Sequence, residues 1–244
     1  MMIKMIGDVI EDTLLNSSIQ FLELIGRGKV PEVIVGTWIV MALLLIFGWV
    51  AGRSLSRALN PTIPDRAISL RLIAEVVVEW IDTFVAGMLE TKDYRDWVPF
   101  LGSLFLFILA ANFFGLIPGM EPPTSYSDLT FALGTVSFVL SIYAGLRGRG
   151  VLYLRSFLGP VLLLAPLMLP IELADNLFRP FSLGVRLYAN MFADHQVLGI
   201  FTGLTKLVIP VAFYSLGAII CTIQALIFMV LTTSYIKLAQ SNEH

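Results

Sequence analysis

Arg186 is the residue whose placement asks for a chemical explanation. It lies in Pro180-Phe-Ser-Leu-Gly-Val-Arg-Leu-Tyr-Ala-Asn-Met-Phe-Ala-Asp-His195, inside a chain that is 57% hydrophobic. A guanidinium stays protonated at physiological pH, and burying it in hydrocarbon costs at least ~2.5 kcal/mol even on the lenient insertion scale. A cation at membrane depth is therefore read as functional. Glu172 and Asp175 precede it, and Asp194 and His195 follow it. A fixed positive charge between two sets of titratable groups points to proton or ion movement.

A helix turns ~100° per residue, so Ser182 and Asn190 lie one turn away from Arg186 on either side and share its face. Glu172, Asp175 and Arg179 come round to that face too. His195 points to the opposite side and Asp194 sideways. The pattern is two polar routes separated by one cation. Each residue also has a structural reading. Glu172, Asp175 and Arg179 serve as well as an ion-pair network, and Asp194 and His195 as a pair facing interfacial water. Ser182, Asn190 and Gln224 serve as polar contacts between helices. No P-loop, dinucleotide-binding glycine pattern or HExxH occurs, so soluble-enzyme chemistry is not encoded. The single cysteine, Cys221, provides neither a disulfide framework nor a cysteine metal site. No metal and no cofactor are expected.

The elements that must position these groups follow from composition. Charged residues make up 14% of the chain and the mean hydropathy is +0.84, against ~25% charged in an ordinary soluble domain. A span needs ~20 apolar residues. Residues 33–52 form the first such run, 97–118 the second, with Asn112 inside it, and 129–146 the third. Arg53, Arg57, Arg66 and Arg71 follow the first, and Arg147, Arg149 and Arg155 follow the third. Glu121 and Asp128 lie between the second and third with no Lys or Arg. The positive-inside rule then places the N-terminus outside and residues 53–96 and 147–155 inside. Over 68–89, Arg71, Glu75, Glu79 and Asp82 fall within ~80° of one another on a helix otherwise largely apolar. That pattern predicts an interfacial helix, whose acidic stripe faces water or docks a partner helix.

The last two segments are too long to stand upright. Residues 207–236 are 30 in a row without a charge, or ~45 Å of helix against a ~30 Å core. Pro160, Pro166, Pro170 and Pro180 argue against a straight helix through the first half of the preceding segment. The expected fold class is an all-α integral membrane protein with upright helices, an in-plane amphipathic helix and a long, strongly tilted C-terminal helical hairpin. The hairpin comprises 160–203 and 207–238, turns near 206–210 on the outer side, and leaves the C-terminus inside. One membrane domain over 1–244 is expected, with no cleaved signal peptide.

Ser182-Leu-Gly-Val-Arg-Leu-Tyr-Ala-Asn190 and Thr222-Ile-Gln-Ala-Leu-Ile-Phe-Met-Val-Leu231 resemble subunit a of F-type ATP synthases. The resemblance is specific from about Leu169 to the end. It extends more loosely to Asn112-Phe-Phe-Gly-Leu-Ile-Pro118 and Pro123-Thr-Ser-Tyr-Ser-Asp128. It implies that Arg186 is the family's essential arginine, Asn190 its neighbouring asparagine and Gln224 the glutamine facing that arginine. Glu172 matches a carboxylate of the inner half-channel and His195 a titratable residue of the outer one. Asn112, Asp128, Asp175 and Ser182 complete the implied pathway. Gly217 stands where the family has a titratable residue, and Asp194 where it has a small one; Asp194 then supplies the missing carboxylate.

The resemblance further implies an ion-conducting, non-catalytic subunit carrying protons or sodium. Its partners would be a ring of c-type proteolipid subunits, peripheral-stalk b-type subunits and, indirectly, the soluble head, in a bacterial plasma membrane. No nucleic acid is expected. Two other classes compete. A secondary transporter or respiratory-complex subunit also lines pathways with buried Arg, Glu and His, but usually shows a repeat, and the 172–195 cluster has no second copy. A membrane scaffold leaves the cost of burying Arg186 uncompensated.

Overall fold

The computed structural model describes residues 32–56, 70–91, 93–117, 120–150, 165–204 and 208–240. Six α-helices run through them: α1 (Glu32–Ser56), α2 (Leu70–Leu89), α3 (Val98–Phe114), α4 (Ser127–Arg149), α5 (Ala165–Leu204) and α6 (Val208–Gln240). Short 3-10 turns at Tyr94–Asp96 and Pro123–Ser125 precede α3 and α4. Among the described residues there is no strand, and the chain is an all-α, multi-pass membrane protein. Val33–Arg53, Ser127–Gly148 and Val211–Gln240 are long and apolar enough to cross a bilayer, and Val98–Phe114 is a shorter apolar helix. Arg57, Arg66, Arg155, Pro160 and residues 205–207 lie outside the described residues, and so do the side chains of Arg149, Glu172 and Asp175.

The helices outrun their apolar cores, because backbone hydrogen bonding continues after hydropathy falls. α1 reaches Ser56, and Arg53 within its last turn lays its guanidinium over the Trp49 ring at 4.8 Å. α4 carries Arg147 and stops at Gly150, whose positive φ of 59° suits a glycine, with its amide donating to the Leu146 carbonyl at 2.8 Å. α3 stops earlier than its apolar run. After Phe114 the amides of Gly115, Leu116 and Ile117 each bond three residues back, a tightening turn.

α5 covers most of the 160–203 segment. It runs unbroken for 40 residues with Pro170 and Pro180 inside it. Each proline removes one amide donor, which membrane helices tolerate when neighbours re-satisfy the freed groups. α4 packs closely against α5 where Pro180 lies. Its buried face reads Thr130, Gly134, Ser137, Ser141, Ala144, small residues that let helices approach closely. A Cβ added at Gly134 would stand 2.5 Å from the Pro180 carbonyl oxygen. One added at Gly184 would meet the Phe131 ring at 3.0 Å. Against α6, Ser137 and Thr232 share a buried hydroxyl–hydroxyl bond of 2.8 Å.

The core joins α2 to the rest through Ile81, Val85 and Leu89, which pack with Leu101, Phe105 and Ile108 of α3 and Phe228 and Met229 of α6. Contacts at the helix ends sort the molecule into two poles. At one, Arg147 pairs with Asp96, the Trp97 and Tyr143 rings meet edge-on at 6.1 Å, and Lys237 lies 3.3 Å from Glu90. At the other, a Cβ on Gly36 of α1 would meet Pro123, one on Gly115 would meet Pro122, and Leu116 reaches Gly217 of α6.

Candidate functional site

α5 joins the two poles, and its polar residues are strung along it. Arg179 lays its guanidinium over Tyr235, 5.4 Å from the ring centroid, two residues from Lys237. Asp194 and His195 face the opposite pole, beside Pro122 and Leu116. Arg186 therefore stands between them, ~10 Å along the axis from Arg179 and ~13 Å from His195 at ~1.5 Å per residue. Glu172 and Asp175 continue α5 beyond Arg179, toward the pole that holds Lys237.

The helix presents two unlike faces because its sequence does. Leu183, Leu187, Met191 and Leu198 are buried against the neighbouring helices. Ser182, Arg186 and Asn190 are exposed, and around them Phe178, Phe181, Val185, Phe192 and Ile200 are exposed as well. On α6, Leu216, Ile219 and Ile223 are exposed too. Arg186 is thus a cation within an apolar face, and among the described residues it forms no ion pair.

Asn190 lies at the edge of that face and donates from Nδ2 to Gln224 Oε1 at 2.6 Å. Gln224 is buried at 3% exposure, so the bond satisfies a carbonyl that would otherwise cost ~1–3 kcal/mol. The glutamine expected to face Arg186 is engaged by the asparagine one turn away.

At the far pole a cavity of about 10 Å³ is bounded by Asn112, Leu116, Met191, Asp194, His195 and Cys221, among others. His195 Nδ1 is buried and has no partner among the described residues. Asp194 Oδ2 lies 3.0 Å from where a Cβ on Gly217 would be, so the carboxylate fills the space that a side chain at 217 would need. Asn112 donates from Nδ2 to the Cys221 carbonyl at 3.3 Å and accepts at Oδ1 from the Thr124 hydroxyl at 2.7 Å. Thr124 is fully buried, yet it sits in a 3-10 turn with no helical period to single it out from sequence. Asp128 stays apart: it is exposed in the first turn of α4, with the Ser127 hydroxyl at 3.4 Å. The structure thus brings together Asn112, Asp194 and His195 in one place and Asn190 with Gln224 in another. Among the described residues no cluster of His, Cys, Asp and Glu could hold a metal ion.

Comparison with known proteins bears on this arrangement. The family described as ATP synthase A chain matches residues 34–237, which include all these helices but the extreme ends. ATP synthase subunit a of Bdellovibrio bacteriovorus is 38% identical over 198 residues, covering 81% of this chain and 86% of that protein. ATP synthase subunit a 1 of Pelobacter propionicus is 36% identical over 208 residues, 85% of this chain and 87% of its own length. Subunit a of Geobacter sulfurreducens is 34% identical over 213 residues, with 87% and 89% covered. A match of that extent, across the helices that carry Arg186, Asn190 and Gln224, settles the family: the chain belongs to the ATP synthase A chain family.

Proposed function

We propose that the chain is the ion-translocating stator subunit of an F-type ATP synthase, offering two half-channels separated by Arg186 to the carboxylates of a rotating proteolipid ring. The observation that carries this reading is the exposed Arg186 on an apolar face without an ion-pair partner among the described residues. A cation in that setting calls for a mobile anion from outside the chain. A ring carboxyl near Arg186 is favoured in its ionised form, because an adjacent positive charge lowers a carboxyl pKa by ~1–3 units. It must lose its ion to pass the arginine, and it takes up another on the far side. The same charge repels a cation running straight from one half-channel to the other. No proton needs to reside on Arg186. The driving force is the membrane field, worth ~2.3 kcal/mol per charge per 100 mV.

Asn112, Asp194 and His195 belong in this scheme to the outer half-channel, and Glu172 and Asp175 to the inner one, since they flank Arg186 on opposite sides along α5. Ser182 and Asn190 border the ring-facing surface, Gln224 holds Asn190, and Asp128 lies at the outer rim. Neighbours would be c-type ring subunits, b-type stalk subunits and, indirectly, the soluble head. The pole that holds Arg147, Asp96 and Lys237 is cytoplasmic by the positive-inside rule, in a bacterial plasma membrane with the N-terminus outside. The ring's own site decides between proton and sodium. Ion-driven ATP synthesis in sealed vesicles tests the scheme: Arg186→Ala, inserted and assembled, makes no ATP, and a near wild-type rate overturns it.

A further inference from the structure

We propose that Thr124 is a positioning residue for the outer ion pathway, fixing the Asn112 amide in the cavity wall beside His195 and thereby holding the place of one relaying water. This rests on the reading of His195 as a member of that pathway. The orientation of the amide follows from its partners. The Cys221 carbonyl can only accept, so the atom of Asn112 that faces it is Nδ2, at 3.3 Å. Oδ1 then faces the Thr124 hydroxyl at 2.7 Å. Both side chains are buried, Asn112 at 1% exposure and Thr124 at 0%. Only one orientation satisfies both partners, and it leaves the amide a second N–H and one acceptor lone pair.

The adjoining space is the cavity of about 10 Å³ that Asn112, Asp194 and His195 share. That is the size of about one water probe, and a buried water requires two to four polar partners. His195 Nδ1, without a protein partner among the described residues, is one; the Asn112 amide and the Asp194 carboxylate supply the others. A fixed amide sets whether the water's hydrogens point toward or away from the imidazole, hence the direction in which a proton can be handed on. If the Thr124 hydroxyl is removed, Oδ1 is left buried without a donor. The amide then keeps only its bond to the Cys221 carbonyl and is no longer held at both ends, which undoes that order. The titratable groups around the cavity are Asp194 and His195 from α5 and Cys221 from α6; α3 and the Pro123–Ser125 turn contribute neutral groups.

The test is ion-driven ATP synthesis by the whole assembled complex in sealed vesicles, measured against external pH and normalised to assembled complex. Thr124→Val is expected to slow synthesis roughly five- to tenfold at alkaline external pH, the scale of removing one hydrogen bond from a reaction path. The effect should be smaller at acidic pH, and Thr124→Ser should stay near wild type throughout. Asn112→Leu should give a similar profile, and adding Thr124→Val to it should cost nothing more, as for two residues acting through one hydrogen bond. A wild-type rate in Thr124→Val, an equal reduction at every pH, or additivity with Asn112→Leu overturns the proposal. If Thr124→Val fails to assemble, Thr124→Cys, a weaker donor, takes its place. Its rate at alkaline pH should fall between those of Thr124→Ser and Asn112→Leu, and an unaltered rate overturns the proposal. His195→Ala separates the two levels: full activity there removes the outer-pathway reading itself. Impaired His195→Ala beside an unaffected Thr124→Val removes only Thr124.

Discussion

At the scale of single residues, charge and hydrogen-bonding geometry can be separated by substitution. Arg186→Ala removes the charge, while Arg186→Lys keeps it but replaces a planar fork by a point charge. Both are expected to abolish ion-driven synthesis, Ala completely and Lys largely, and measured rates in vesicles check this. The Asn190–Gln224 bond of 2.6 Å calls for a different experiment. Gln224→Leu or Asn190→Leu alone leaves a polar partner unpaired, at ~1–3 kcal/mol. The double substitution should cost less than the sum of the two single ones, read from thermal unfolding in detergent; strict additivity would deny the pair. His195→Ala should slow synthesis most at high external pH, where protons are scarce. A ratio of mutant to wild type that does not vary with pH would take His195 out of the pathway. Sequence made the polar residues of α5 conspicuous because charges stand out in an apolar chain. It could not say that Asn190 rather than Arg186 engages Gln224, because the two share a face and only the packing of α6 decides which one reaches.

At the scale of elements, the approach of α4 to α5 is set by what is missing from two glycines. Gly134→Val should force the Pro180 carbonyl aside and cost ~1–3 kcal/mol as overpacking, seen as a lower unfolding midpoint and less assembled complex. Gly48→Ala, where a Cβ meets nothing within 4 Å, should change neither. Equal behaviour of the two variants would contradict the packing. The helical, membrane-embedded fold was legible because runs of ~20 apolar residues have few other solutions. The ends were less so, since α1 and α4 carry their backbone ladders past Arg53 and Arg147. How α5 accommodates its prolines is a separate matter. Local propensity disfavours an interior proline, and the close approach of Gly134 to the Pro180 carbonyl is unseen in a linear reading. Thr124 was hidden because it lies in a 3-10 turn with no helical period, and its partner, Asn112 of α3, is fixed only when the chain turns back after α3.

At the scale of the whole molecule, the two poles make a statement about sidedness. A cysteine placed at Ser127 should react with an impermeant thiol reagent added to the outside of intact cells, and one at Arg147 only after the membrane is opened. The reverse labelling would invert the assignment. The particle that contains this chain should also contain a ring of small proteolipids; a preparation active in ion-driven synthesis without one would refute the stator reading.

The uncovered face of α5 and α6 has a consequence for the life of the chain before it works. A newly inserted copy presents Arg186 to lipid among exposed phenylalanines, a state that thins the bilayer and draws in water. On the stator reading, that cost persists until a ring covers the face. Binding of the ring favours the folded, retained form by mass action. On that reading, depleting the ring subunit should lower the amount of this chain retained in the membrane, and unchanged retention would deny the coupling.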